Sequence, residues 1–360
     1  MTMLQNNLNL DVLNGYDTTI FKYKTILNAK KLITCFRNLA ALYKGRNTEK
    51  VFCIRCTKGI VTIEAVSVIY YVQILEKLSL TEAPEDFEVT FGYFDLSQNF
   101  DSSLVTVEVT NQYISFTTDT SKFTLNAVYS TVQNFLPLIN TIEFKVIQTS
   151  DITESFKQLK VLRPITHDFP THQSIHCKQG YAYIITPCMC AYIKGCKLNA
   201  TIDIYTADLI SNMCYEIEEV SLGYLSNYIC IQSEETYILI PRVDYIPKGS
   251  DNPLKISAKP IAILEASILK KHLSRLKYKD KVTLSFSNDS VLIEFQNINL
   301  NYRAIIDIDT KETAYITTDA LYLYNALNFF NYTDSISIKV GERLLVLETQ
   351  NKRVYLSCIN

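Results

Sequence analysis

Little in this sequence points to a membrane, a secretory route or a catalytic centre. No apolar run approaches the roughly 18 residues that would suggest a membrane span. Residues 1–15 lack a basic region followed by an apolar core, so no signal peptide is expected. There is no glycine-rich phosphate loop, nucleophile elbow or HExxH pattern, so neither an enzyme nor a cofactor is expected. Excess charge is also missing: 35 Lys and Arg against 37 Asp and Glu give a formal net charge of −2. That removes any global pull toward nucleic acid, and such binding would have to come from locally segregated charge. Glycine and proline are scarce, nine each in 360 residues, and with 48% hydrophobic residues and 20% charged the chain is globular rather than disordered. Ten cysteines without secretory features fit a reducing cytoplasm, where they pack as small apolar groups. What is plentiful, 24 Tyr with many Ile, Val and Thr, favours strands.

The length allows two or three domains, and the last stretch, 257–360, shows their plan most clearly. Ile261, Leu264, Ile268, Leu269, Leu273 and Leu276 recur at three- and four-residue steps, which predicts a helix over 261–276. Lys270, Lys271 and Lys277 fall largely away from that stripe, with Arg275 at its edge. Strands follow at 281–286 and 291–296. A helix capped within Thr317-Thr318-Asp319 is expected to run through Phe330, and strands close the unit at 335–340, 344–349 and 353–359.

The first third repeats this order. A strand at 18–26 leads to a helix at 28–43 with Leu32, Ile33, Phe36, Leu39, Ala40 and Tyr43 on one side. Lys30, Arg37 and Lys44 repeat every seven residues on the other side. Strands are expected at 50–57, 59–65, 66–78, 87–92, 104–110, 113–118 and 122–128, with a short helix at 95–101. The middle third has a strand at 141–148. A helix capped by Ser150 or Asp151 follows, with Lys157 and Lys160 off its apolar stripe, then Arg163 and the terminating Pro164. Further strands are expected at 173–178, 181–186, 190–194, 218–222, 228–233 and 236–241, with a helix at 206–214 capped by Thr206. Three units of roughly 120 residues, each with two helix-plus-strand halves, make a periodic architecture. Its boundaries fall at 130–139 and 246–253, giving domains 1–135, 136–247 and 248–360. All six helices are expected on one side of a continuous sheet layer.

Other patterns carry less. Cys53-Ile54-Arg55-Cys56 has zinc spacing, but on a strand a three-residue step puts the two sulfurs on opposite faces. His167, His172, His176 and Cys177 cluster in sequence, yet Pro170 interrupts any helix that would align them. His272 joins the basic helix surface, and Asp307, Asp309 and Asp319 are scattered. No metal site is expected.

In length, domain count and element order, the chain resembles the bacterial-type β sliding clamp, the DNA polymerase processivity factor. Residues 316–330 with 335–340 and Val354-Tyr355-Leu356 look like that family's last helix, hairpin and terminal strand. Ser121-Lys122-Phe123-Thr124-Leu125 resembles the edge strand closing its first domain. The resemblance implies an α+β fold of three tandem DNA-clamp domains, each with two helices packed on antiparallel sheets. Two subunits would join head to tail in a cytoplasmic ring around double-stranded DNA, held independently of sequence, with DNA polymerase and clamp loader as partners. Lys30, Arg37, Lys44, Lys157, Lys160, Arg163, Lys270, Lys271, Arg275 and Lys277 would then face phosphates. Phe123 and Leu125 would meet the region of Leu276 and Tyr278 of the other subunit. A partner-peptide pocket would include Thr186, Cys188, Ala191, Pro241, Val243, Leu356 and Cys358. The family's Thr-Asp-Gly-His-Arg-Leu run is replaced by Thr186-Pro187-Cys188-Met189-Cys190-Ala191, and its Met-Pro-Met-Arg ending by Ser357-Cys358-Ile359-Asn360. These departures suit a phage or plasmid replication system. Two other readings stay open: a virus-type factor of the same fold with a different oligomeric state, and a β-rich structural or assembly protein that does not bind DNA.

Overall fold

The computed structural model describes residues 22–43, 50–66, 73–79, 86–94, 100, 103–128, 130, 132, 134–162, 173–214, 217–234, 236–242, 258–274, 276, 281–296, 300–310 and 312–359. By its internal contacts the chain divides into two units, Met1–Val66 with Leu75–Gln133, and Ser67–Ile74 with Asn134–Asn360.

The first unit opens with strand β1 (Lys22–Asn28) and helix α1 (Ala29–Tyr43). The strands that follow are β2 (Val51–Thr57), β3 (Ile60–Val66), β4 (Gln73–Ser79), β5 (Phe87–Gly92), β6 (Leu104–Thr110), β7 (Tyr113–Thr117) and β8 (Lys122–Asn126). One antiparallel sheet runs β1-β6-β7-β8, and β2 lies between β5 and β3 in another. The apolar stripe of α1 is buried as its periodicity demands, with Leu32, Phe36 and Leu39 fully enclosed. The Phe36 ring stands edge-on to Phe52 of β2 and to Phe116 of β7, each at 5.6 Å, so one aromatic side chain ties the helix to both sheets. The β2–β3 turn places Lys58 and Gly59 at positive φ, as a tight hairpin requires. The short helix expected at 95–101 lies mostly outside the described residues.

The second unit begins with a single turn of helix, α2 (Leu136–Ile139). There follow β9 (Lys145–Gln148), α3 (Ser150–Lys160), β10 (Ser174–Lys178), β11 (Tyr181–Thr186), β12 (Met189–Lys194), β13 (Ala200–Asp203), α4 (Ile204–Met213), β14 (Glu219–Tyr224), β15 (Tyr228–Ser233) and β16 (Thr236–Pro241). Next come β17 (Lys259–Glu265), α5 (Ala266–Leu273), β18 (Lys281–Ser287), β19 (Ser290–Gln296), β20 (Asn301–Asp307), β21 (Ala314–Asp319), α6 (Ala320–Asn328), β22 (Ser335–Gly341), β23 (Leu344–Glu348) and β24 (Lys352–Ser357). A strand, a helix and three strands therefore recur along the chain. Between β5 and β6, residues 95–99 lie outside the described residues. In this unit the antiparallel order β13-β10-β11-β12-β24-β23-β22-β17 makes one eight-stranded sheet, joined at β12–β24. The strands β16-β15-β14-β9 and β20-β19-β18-β21 form two further groups. Helix α3 lies beside α4, and α5 beside α6.

Several expectations are corrected here. The sheets are several rather than one layer. Each repeat opens on a strand before its helix, so the helix expected over 261–276 is β17 followed by the shorter α5. The confusion has a physical source: register shifts between Pro260 and Ala262, and this bulge buries Ile261 and Ala262 side by side, so the apolar spacing mimics a helix. The strand expected at 141–148 is confined to β9, preceded by α2, and that expected at 66–78 is β4, displaced toward Ser79. Helix α4 starts two residues before Thr206, because Asp203 accepts hydrogen bonds from the Tyr205 and Thr206 amides at 2.8 and 3.3 Å. Neither Ser150 nor Asp151 caps α3, whose N-cap position is Thr149. The cap expected at Asp319 is present: its carboxylate accepts from the Tyr322 amide at 3.0 Å.

Candidate nucleic-acid interface and partner pocket

Several of the expected basic residues are exposed, and two of the expected set, Lys160 and Lys270, make contacts within their own chain. On α1, Lys30 and Arg37 are exposed on the side away from Leu32, Phe36 and Leu39. Lys157 on α3 and Lys271 on α5 are exposed as well. Lys160 also reaches the surface, but its ammonium pairs with Asp208 on the neighbouring α4. Lys44, Arg163, Arg275 and Lys277 lie outside the described residues.

Lys270 has a different task. Its Nζ donates to the Phe330 carbonyl at 2.7 Å and sits 5.7 Å from the centre of the Tyr332 ring. Lys352, at the start of β24, donates to the Phe329 carbonyl at 3.0 Å, with an Asp334 carboxylate oxygen 3.7 Å away. Two ammonium groups thus satisfy the carbonyls that follow α6, where the helix leaves acceptors unpaired and its dipole is negative. Burial pushes the pKa of both lysines down. Periodicity placed Lys270 on a basic face but could not reveal these carbonyls, 60 residues later. Lys270→Met is expected to lower stability by about 1 kcal/mol, from the lost hydrogen bond and helix-end charge. Lys271→Ala should leave it unchanged, and denaturant midpoints of the two variants check the contrast.

Four of the residues expected in the partner pocket come together around the end of β24. Thr186 Oγ1 accepts from the Met189 amide at 3.0 Å and lies 3.5 Å from Cys188 Sγ. The Cys188 carbonyl accepts from the Ser357 amide at 2.9 Å, next to Leu356 and Cys358. Burial pushes the pKa of the Cys188 thiol up, with Thr186 and Tyr322 of α6 pulling it back down. The Cys358 amide donates to Arg343 and the Ile359 amide to Thr317, while Thr318 Oγ1 donates to the Ser357 carbonyl at 3.4 Å. Sequence reasoning missed Thr317 and Thr318, which bond the end of the chain, and Tyr322, which acts on Cys188, because only the fold brings them together. Ala191 and Leu356 are fully buried in the sheet and support this region from beneath. Pro241 ends β16, in a different sheet, and Val243 lies outside the described residues.

For the subunit contact, Phe123 and Leu125 are half-buried on β8, which is an edge strand of its sheet. Leu276 is enclosed in its own core, so its side chain is not available to a second copy. Tyr278 lies outside the described residues. The exposed edge in that part of the chain is β20, where Ile305 is 66% exposed. Of the discarded metal candidates, His176 is buried, 3.0 Å from Thr201 Oγ1 and stacked on Tyr183, while His272, expected on the basic helix surface, bonds the Tyr302 hydroxyl at 2.6 Å. Cys53 and Cys56 are both buried, because β2 is covered on both faces. Among the described residues no group of three or more His, Cys, Asp or Glu could hold a metal, and no helix is long and apolar enough to cross a membrane.

The arrangement of repeated strand–helix–strand units defines the class: this is the DNA sliding-clamp fold. The chain is similar to the DNA polymerase sliding clamp of Pseudomonas aeruginosa, with 11% identity and a TM-score of 0.75 over 94% of this chain and 99% of that one. A putative DNA polymerase III beta subunit from Eubacterium rectale gives 12% and 0.75 over 94% and 99%. The Thermotoga maritima DNA polymerase III beta subunit gives 9% and 0.73 over 94% and 100%. No family model matches the sequence, and no curated protein does.

Proposed function

We propose that this chain is a DNA sliding clamp, a non-enzymatic processivity factor that encircles duplex DNA and tethers a DNA polymerase to it. The observation that carries the proposal is likeness of fold along essentially the whole chain to solved sliding clamps whose own lengths are covered almost completely. In this reading, residues 1–135, 136–247 and 248–360 are three clamp domains. Lys30, Arg37, Lys157 and Lys271 face phosphates through loose contacts that position without reading sequence. Lys160 and Lys270, engaged by Asp208 and by the end of α6, contribute mainly to structure. Two copies close head to tail by pairing edge strand β8 of one with β20 of the other. Such a surface is heterologous, and it gives a closed object because two copies complete the circle. Thr186, Cys188, Leu356 and Cys358, with Thr317 and Tyr322, form the seat for partner peptides from the polymerase and the loader. The low identity and the altered pocket suit a replication system of a phage or plasmid.

The test is topological. Protein incubated at high concentration with a nicked circular duplex, so that rings close around it, should stay with the DNA through gel filtration and be lost once the circle is cut. Its mass in solution should be that of a dimer. Equal loss from circular and linear DNA, or a strict monomer, would overturn the proposal.

A further inference from the structure

The sheet of the second unit that joins β12 to β24 consists of two four-stranded halves, β13-β10-β11-β12 and β24-β23-β22-β17. Each half has a counterpart elsewhere in the chain. The order β21-β18-β19-β20 repeats the first half strand for strand, and β8-β7-β6-β1 repeats the second. Both counterparts stop at four strands, with β20 and β8 as edges in the places where β12 and β24 are joined. An edge strand presents a row of backbone donors and acceptors to another chain.

The hairpin turns fix which residues correspond. Gln179-Gly180 separates β10 from β11 and Asn288-Asp289 separates β18 from β19, with positive φ at Gln179, Gly180 and Asp289. Counted from these turns, Tyr183 matches Leu292, so their partners on the next strand, Tyr192 and Ile305, match as well. Ala191 then corresponds to Ala304 and Met189 to Tyr302. In the other half, the two-residue turns at 342–343 and 111–112 make Ser357 the counterpart of Asn126. Leu356 therefore corresponds to Leu125, Val354 to Phe123 and Arg353 to Lys122. Burial agrees with this alignment. Met189, Ala191, Val354 and Leu356 are buried at the joint, and Tyr302, Ala304, Phe123 and Leu125 are the half-buried members of otherwise exposed stretches of β20 and β8.

We propose that a second copy of this chain seats its β8 antiparallel on β20 in the register of the internal β12–β24 joint. In that joint Met189 lies opposite Leu356, Ala191 opposite Val354 and Tyr192 opposite Arg353. Transferred to the two edges, Tyr302 lies opposite Leu125 of the second copy, Ala304 opposite its Phe123 and Ile305 opposite its Lys122. Small meets large where Ala304 faces Phe123. The Lys122 stem covers Ile305, which is 66% exposed in the single chain, while the ammonium stays in water. His272 of α5 bonds the Tyr302 hydroxyl at 2.6 Å, so the ring that meets Leu125 is held in place beforehand. The inference rests on the clamp reading for the existence of a closed pair of copies. It adds the register, which edge-to-edge pairing alone leaves free to slip.

Ile305→Cys and Lys122→Cys are introduced together. Both side chains are exposed, so the reduced variant should melt with the unsubstituted chain. Residues directly opposed in an antiparallel pair have Cα atoms about 4.5–5.5 Å apart, within the span of a disulfide. Oxidation with glutathione disulfide should give a species of doubled mass on a non-reducing gel, and its digest should hold a peptide linking positions 305 and 122 that reduction separates. Ile305→Cys with Thr124→Cys sets the thiols on diagonal positions about 7–8 Å apart and should link at least about tenfold more slowly. A faster link between 305 and 124, or a dimer by sedimentation without the link between 305 and 122, would refute the register and leave ring closure standing. A monomer at every concentration would sink the clamp reading together with it.

Discussion

Arg55→Met is expected to destabilise the first unit by about 3–5 kcal/mol, because it removes the cation paired with a buried carboxylate. Arg55 on β2, Thr62 and Glu64 on β3 and Glu88 on β5 share one face of their sheet, with Arg55 directly opposite Thr62 and Glu88. The guanidinium Nε lies 3.3 Å from Glu64, Nη1 pairs with the partly exposed Glu88, and Nη2 donates to the Val132 carbonyl at 2.7 Å. Glu64 is 0% exposed, and the Thr62 hydroxyl also donates to it at 2.8 Å. Burial already pushes its pKa above the usual carboxylate value, with Arg55 pulling it back down. Removing Arg55 would raise it further, so Glu64 would remain protonated in the folded state to higher pH. A carboxyl raised on folding contributes stability that is present below its unfolded pKa and lost as pH rises through the folded value. The cost of Arg55→Met should therefore be smallest in acid and grow through that range. Denaturant unfolding from acid to neutral pH reads the slope directly. Adding Glu64→Leu should restore most of the loss, since a well-packed apolar pair can replace a buried ion pair. A pH-independent cost would mean that the guanidinium matters for packing alone.

This cluster also shows where sequence reading stops. Cys53-Ile54-Arg55-Cys56 drew attention for its sulfurs, while the residue with the larger energetic role was the arginine between them. A charged residue inside a strand looks like a solvent-facing position until the second sheet face proves to be covered. The alternation in β6, β8, β18 and β19 was legible because those strands sit in sheets with one wet face, where period-two patterning survives. Strand β17 was not legible, because a bulge broke its period. Strands β13 and β20 were missed: β13 has only four residues, and β20 is an edge strand whose Ile305 is exposed beside the buried Ile306. Among the site residues, α1 was read best, since Lys30 and Arg37 sit opposite a complete apolar stripe. Lys160 and Lys270 looked equivalent on a helical wheel, but Asp208 and the end of α6 come from elements the wheel does not contain.

The exposure of these basic residues sets the sharpest expectation for DNA binding. Lys30→Ala, Arg37→Ala, Lys157→Ala and Lys271→Ala together should flatten the dependence of log affinity on log salt by up to about 3.6, since each phosphate contact contributes roughly 0.9. Between 50 and 200 mM salt, a protein with this many contacts loses on the order of a hundredfold in affinity, and the variant should lose almost none. All four side chains are exposed, so stability should hold within about 0.5 kcal/mol and the change can be read as electrostatic. Lys160→Ala with Lys270→Ala gives the converse: a measurable loss of stability and a slope close to that of the unsubstituted protein. Fluorescence anisotropy on a duplex of arbitrary sequence, repeated on a second unrelated duplex, separates the outcomes. A net charge of −2 makes the experiment discriminating, because no background of excess cations could supply the slope once these faces are neutral. An unchanged slope in the fourfold variant would place DNA contacts, if any exist, on other residues and would leave the fold without the charged wall that encirclement requires.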